Sequence, residues 1–101
     1  MKSFGDMVKQ AQKMQKKMSD LQDKLAEERF EASAGGGLVT AIVDGKQRLK
    51  ELKIGPDALK DGDVSLLEDL IVTAIGEAQR TSEEKMNETI GQITGGFNLP
   101  F

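Results

Sequence analysis

Lys2, Lys9 and Lys16 recur every seven residues, with Lys13 and Lys17 beside them, and residues 7–19 hold four Lys and no acid. A cationic side chain that neutralises a phosphate releases counterions, and that alone gives sequence-independent affinity for a polyanion. Lysines are also the usual occupants of exposed helix positions, where they add solubility and i,i+4 pairs. A solubilising face normally mixes charges, so the excess of one sign is what sets this row apart. A second basic group, Lys46, Arg48 and Lys50, shares one strand parity. It reads equally as a basic rim beside a hairpin and as an edge guarded by lysine against aggregation.

Other chemistries are poorly supplied. The chain has no Cys and no His, which removes thiolate and imidazole metal sites, Cys nucleophiles and every triad with a His base. Gly35-Gly36-Gly37 lacks the spacing to a Gly-Lys-Ser/Thr that a P-loop needs, so it reads as a turn. Asp61-Gly62-Asp63 fails as a calcium loop because the twelfth position is Val72 rather than Glu. Every carboxylate reads as part of a solvated helix or turn. The expectation is no catalysis, no cofactor, no metal and no small-molecule substrate.

The lysine row needs a helix to carry it, and the apolar residues supply one. Phe4, Met7, Ala11, Met14, Met18, Leu21 and Leu25 alternate at spacings of three and four, a heptad a/d seam. Ser3 with Asp6 has the spacing of a capping box, so the helix is expected from about Ser3 to Arg29. At 1.5 Å per residue it is about 40 Å long, whereas a compact domain of about 100 residues has a radius of gyration near 13 Å. One chain is too short to cover such a seam. Met7, Met14, Met18, Leu21 and Leu25 are therefore expected to form the contact of a homodimer, with the Met set as seam packing.

Three extended segments follow: Phe30 to Ala34, Leu38 to Val43, and about Lys46 to Ile54. Asp44-Gly45 between the last two predicts a type I′ hairpin turn, and the triple Gly predicts a looser turn between the first two. Leu38 to Val43 is the most β-prone stretch and is placed at the sheet centre. Leu49 falls out of parity with Leu52 and Ile54, so either a bulge sits near Lys50-Glu51 or the strand begins later. Asp57 to Asp61 reads as one helical turn closed by Gly62. Ser65 to Glu68 matches a capping box opening a second helix to about Ile93. Its face of Leu67, Leu70, Ile71, Ala74, Ile75 and Ala78 is expected to cover the sheet. Met86, Ile90 and Ile93 suggest a second projecting arm, and residues 95–101 read as a flexible tail.

These elements make one α+β domain over residues 1–94, with helix 3–29, sheet 30–54, turn 56–62 and helix 64–93. The net charge of −3 hides a segregation, with five Lys against Asp6 in residues 1–17 and nine carboxylates in residues 57–88. Screening confines each charge to roughly 8–10 Å, so a mildly acidic whole can present a basic surface. No run approaches the roughly 18 apolar residues of a membrane span, and no signal segment opens the chain. A soluble cytoplasmic protein without membrane contact is expected.

The order of motifs carries a resemblance. It runs from the Lys- and Gln-rich stretch Lys9 to Met18, through Gly37-Leu38-Val39, Asp44-Gly45 and Leu52-Lys53-Ile54. It continues with Pro56-Asp57, Leu66 to Leu70 and a terminal Leu99-Pro100-Phe101. This order resembles the YbaB/EbfC family of bacterial nucleoid-associated DNA-binding proteins over nearly the whole chain. The resemblance implies a helix, a three-stranded antiparallel sheet and a long second helix, in a homodimer whose helices project like tweezers. It also implies binding of duplex DNA, nucleoid shaping and effects on gene expression, without catalysis.

Lys9, Lys13, Lys16 and Lys17 match the basic part of the family's first helix. The second helix offers only Arg80 and Lys85 among Glu77, Glu83, Glu84 and Glu88, which weakens its claim on phosphates. Two other readings stand beside this one: a prefoldin-like holdase chaperone and a coiled-coil adaptor. No helix-turn-helix or base-reading set is visible, so phosphate contacts and DNA shape are expected to dominate.

Overall fold

The computed structural model describes residues 3–93. The element order is α1 (Phe4–Glu27), β1 (Phe30–Ala34), β2 (Val39–Val43), β3 (Leu49–Ile54), a single 3-10 turn (Pro56–Leu59) and α2 (Val64–Ile93). Lys2 and the 95–101 tail lie outside the described residues.

Helix α1 starts where its capping chemistry predicts. The Asp6 N–H donates to the Ser3 hydroxyl at 3.3 Å, satisfying one of the N-terminal donors a helix leaves open. It ends at Glu27, two residues before the expected Arg29, with Glu28 in extended geometry as its C-cap. Helix α2 is capped differently from expectation. Asp63, not Ser65, is the N-cap: its Oδ1 accepts from the Leu66 N–H at 3.0 Å. Asp serves as well as Ser in this role, and lying one residue upstream of Val64 it captures the donors of the first turn. Ser65 is left inside the helix.

The sheet is antiparallel with order β1-β2-β3, so the β-prone segment is its central strand. Val39, Ala41 and Val43 of β2 are fully buried, and Ala74 and Ala78 of α2 press against them. These two alanines let the helix approach the strand closely, and Leu67, Leu70, Ile71 and Ile75 fill in around them as the spacing predicts. Burying a side chain such as Val39 or Val43 contributes about 1.5–3 kcal/mol.

Helix α2 lies over β1 and β2. The same sheet face continues onto β3, where Leu49, Leu52 and Ile54 stand opposite Val43, Ala41 and Val39. Leu49 and Ile54 remain exposed.

The parity break in β3 is a bulge. Ile42 pairs with Glu51 and Val43 with Leu49, so Lys50 is the extra residue, and Leu49 returns to the core-facing side. The β1–β2 turn uses all three glycines at positive φ, +66°, +69° and +98° for Gly35, Gly36 and Gly37, a conformation costly for any residue with a Cβ.

The β2–β3 connection departs from the expected type I′ turn. The Asp44 N–H donates to the Arg48 carbonyl at 2.9 Å and the Gln47 N–H to the Asp44 carbonyl at 3.1 Å. The positive φ falls on Gln47 at 68°. This is a three-residue loop, a tight turn followed by a left-handed residue.

The molecule is elongated, with a radius of gyration of 19.6 Å and extents of 71 × 23 × 16 Å. That is well above the value near 13 Å of a compact chain of about this length, as the length of the first helix led one to expect, because α1 stands away from the sheet. Among the described residues no helix is long and apolar enough to cross a membrane.

Candidate nucleic-acid interface

Helix α1 divides along its length. Leu21 and Leu25 are buried at 7% and 3% exposure, whereas Phe4, Met7 and Met14 are 81%, 59% and 41% exposed and Met18 is intermediate. Leu21 and Leu25 were expected to need a second subunit, and that part of the seam reading is corrected. Their own chain covers them, because the last turns of α1 rest on the β2–β3 loop and run beside α2. Lys17, Asp20, Leu21, Lys24 and Glu28 face Lys85 and Thr89 of α2 across one shallow cleft. The unburied seam therefore narrows to Phe4, Met7, Met14 and the half-covered Met18. On α2, Met86 and Ile90 are half-buried, while Glu83, Glu84, Lys85, Asn87 and Glu88 are exposed.

The lysines lie off this seam. At about 100° per residue, Lys9, Lys13 and Lys16 share an arc of about 60°, and Lys17 lies about 40° beyond Lys13 toward α2. All four side chains are exposed. Among the described residues none of the four takes part in an ion pair, nor do Lys24, Arg29, Lys46 and Lys85, whereas Arg48, Lys50, Lys53, Lys60 and Arg80 each do. Exposed ion pairs are worth little in stability, but they do decide which cations already have a counterion on the protein. Lys9, Lys13, Lys16 and Lys17 have none among the described residues.

The second basic group is arranged around an acid. The Asp44 side chain is fully buried, and its Oδ1 accepts from the Lys46 and Arg48 N–H groups at 2.8 and 3.0 Å. Its Oδ2 accepts from Arg48 Nε at 3.2 Å, with Lys50 Nζ 3.8 Å away. Burial alone would raise the Asp44 carboxyl. The backbone N–H groups of Arg48 and Lys46 and the Arg48 guanidinium outweigh it and hold the group below the usual carboxylate range.

The expectation that every carboxylate is solvated thus fails at Asp44, the one acid placed to close the hairpin loop. Lys46, Arg48 and Lys50 do cluster at the hairpin. Two of them are already engaged with Asp44, so as a rim they offer less free charge than α1. No local pattern marked Asp44 as buried; the only hint was its position before Gly45, read as turn chemistry.

On α2, Arg80 is held between Glu77 at 2.8 Å and Glu84 at 3.7 Å. Its charge is neutralised on the helix itself. Among the described residues no cluster of three His, Cys, Asp or Glu side chains is arranged to hold a metal ion.

Comparison with known proteins agrees with this architecture. The crystal structure of an uncharacterized protein from Helicobacter pylori superposes with a TM-score of 0.83 over 92% of this chain and 98% of that one, at 20% identity. That likeness establishes the fold. A nucleoid-associated protein from Alkaliphilus metalliredigens is 44% identical over 97% of this chain and 86% of its own length. A nucleoid-associated protein from Gemmatimonas aurantiaca is 44% identical over 94% of this chain and 91% of its own. The model of the YbaB/EbfC DNA-binding family matches residues 1–97. With a family match across nearly the full length and relatives this similar, the chain belongs to the YbaB/EbfC DNA-binding family.

Proposed function

We propose that this chain binds duplex DNA as a homodimer, with little sequence preference, and that it organises the bacterial nucleoid and thereby modulates gene expression. The observation that carries this reading is the set of unpaired, exposed lysines Lys9, Lys13, Lys16 and Lys17 on a helix standing clear of the sheet. Each such side chain can replace condensed counterions on a phosphate. Lys2 extends the row in sequence, and Lys46, Arg48 and Lys50 form a secondary contact.

Exposed Phe4, Met7 and Met14, together with exposed Leu49 and Ile54 on β3, supply apolar surface that a second copy would cover. The protein works in the cytoplasm on the nucleoid, without cofactor, small-molecule substrate or catalysis. Base-edge readout is not required, since phosphate contacts fix position and DNA shape supplies any preference.

A mobility-shift titration on duplex DNA tests this directly. Binding at low salt, with an unrelated duplex of equal length competing within about tenfold (about 1.4 kcal/mol), is expected. Absence of a shift at low salt, or strong discrimination between random duplexes, contradicts it.

A further inference from the structure

The β2–β3 loop makes three hydrogen bonds to the two long helices through its backbone. The Gly45 N–H donates to the Leu25 carbonyl of α1 at 2.7 Å. The Ser82 hydroxyl of α2 donates to the Asp44 carbonyl at 2.8 Å, in a buried position. Gln79 Nε2 of α2 donates to the Gln47 carbonyl at 3.1 Å. The loop is closed from within by the buried Asp44 carboxylate, which gathers the Lys46 and Arg48 N–H groups. Its outward backbone groups are thereby free to hold the end of one helix and the side of another.

Gly45 is required by proximity rather than conformation. It is not among the residues with positive φ, so alanine fits its backbone. A Cβ there would lie 2.6 Å from the Leu25 carbonyl oxygen and 2.9 Å from the Leu25 Cα and Cδ2. Two of these atoms are main chain, so relief requires the helix itself to move. Leu21 and Leu25 are the only fully covered residues of α1, and they lie in its last two turns. The direction of the helix is therefore set in these last two turns, where Leu25 meets the loop and Leu21 lies in the cleft beside α2.

We infer that the β2–β3 loop is a clasp that fixes the direction of α1, with Gly45 and Asp44 as positioning residues for the lysine face. The consequence for DNA rests on the reading that α1 binds phosphates; the clasp itself does not. Lys9 lies 16 residues from Leu25, about 24 Å along the helix axis, so a tilt of about 10° at the clasp moves Lys9 by about 4 Å. Such a tilt keeps the lysines of one α1 in register with each other but shifts them against those of a second subunit, so the two lysine faces of the proposed dimer no longer meet one duplex together.

The natural absence of Cys allows spin labels at Gln10→Cys on α1 and Thr73→Cys on α2, both exposed positions. The labelled chain, co-refolded with excess unlabelled chain, reports only the distance within one subunit by pulsed electron resonance. A single narrow distance is expected in the parent. Gly45→Ala is expected to shift it by about 3 Å or more, or to broaden it correspondingly, with far-ultraviolet helicity unchanged and DNA affinity at least fivefold weaker. Asp44→Asn, which leaves Gly45 untouched but weakens the loop, is expected to broaden the distribution with a smaller loss. It carries the test if Gly45→Ala does not fold.

An unchanged distance in the folded variants overturns the clasp. A shifted distance with undiminished DNA affinity overturns the positioning role while leaving DNA binding intact. Failure of the parent protein to bind DNA removes the phosphate reading and with it the positioning role, and the distance measurement still decides the clasp.

Discussion

The two long helices share a polypeptide, a sheet and similar lengths, yet they spend their side chains differently. Helix α2 turns Ala74, Ala78 and the fully buried Ser82 inward, and neutralises its Arg80 between two of its own glutamates. Helix α1 leaves Phe4, Met7 and Met14 exposed and carries Lys9, Lys13, Lys16 and Lys17 without a counterion on the protein. One helix completes the fold of its own chain. The other is incomplete within it, in apolar contacts on one side and in charge on the other. A helix with two unsatisfied faces is suited to two partners, a second copy of the chain and a polyanion.

The sharpest way to break this contrast is to charge the seam of α1. Met14→Glu with Met18→Glu puts like charges on the face proposed to pack against a second copy, and is expected to give monomer in sedimentation at micromolar concentration where the parent gives dimer. A well-folded parent that sediments as a monomer would remove the need for the seam. The matching insult to α2 is Ala78→Leu, which forces added methylenes against the buried face of β2 formed by Val39, Ala41 and Val43. It is expected to destabilise the fold by about 1–3 kcal/mol in chemical denaturation, while leaving the lysine face as it was.

Acid should act next, through Asp44. Its folded-state carboxyl lies below the ordinary value of 3.8, so the stability it contributes is complete above that value and is lost as pH falls through the folded-state pKa. Denaturation midpoints measured downward from pH 5 are expected to fall less steeply in Asp44→Asn than in the parent. The smallest effect separates the N-cap of α2 from the neighbouring residue expected in that role. Asp63→Ala is expected to cost about 1 kcal/mol as loss of an N-cap, and Ser65→Ala no more than about 0.5 kcal/mol as a surface change.

Much of this contrast was legible in the chain because it is local. The Ser3 cap, the helical apolar row of α1, the central β2 segment and the buried stripe of α2 all follow from spacing and turn chemistry, and the bulge at Lys50 is one of the two readings that the parity of Leu49 allowed. Contacts between residues distant in sequence left no periodic trace. Gly45 read as a turn glycine, whereas its requirement comes from Leu25, 20 residues upstream. Leu21 and Leu25 fitted the seam pattern as well as Met7 did, and only the approach of the loop and α2 separates them. Asp44 read as solvated because its three donors come from the loop it closes. The lysine row was legible as an excess of one sign. Its lack of ion pairs became visible only once every carboxylate had a place.

In the proposed complex α1, and not α2, carries the electrostatic contact with DNA. The most direct measurement is the slope of log K against log [salt] for duplex binding by three proteins. These are the parent, the fourfold Lys9→Ala, Lys13→Ala, Lys16→Ala, Lys17→Ala variant, and a Lys60→Ala, Lys85→Ala control. Each phosphate contact contributes roughly 0.9 to that slope. The fourfold variant is expected to show a much flatter slope and a steep loss of affinity at moderate salt with its dimer intact, and the control to follow the parent closely. An unchanged slope in the fourfold variant, or equal losses in the two, would move the contact off α1 and contradict the account.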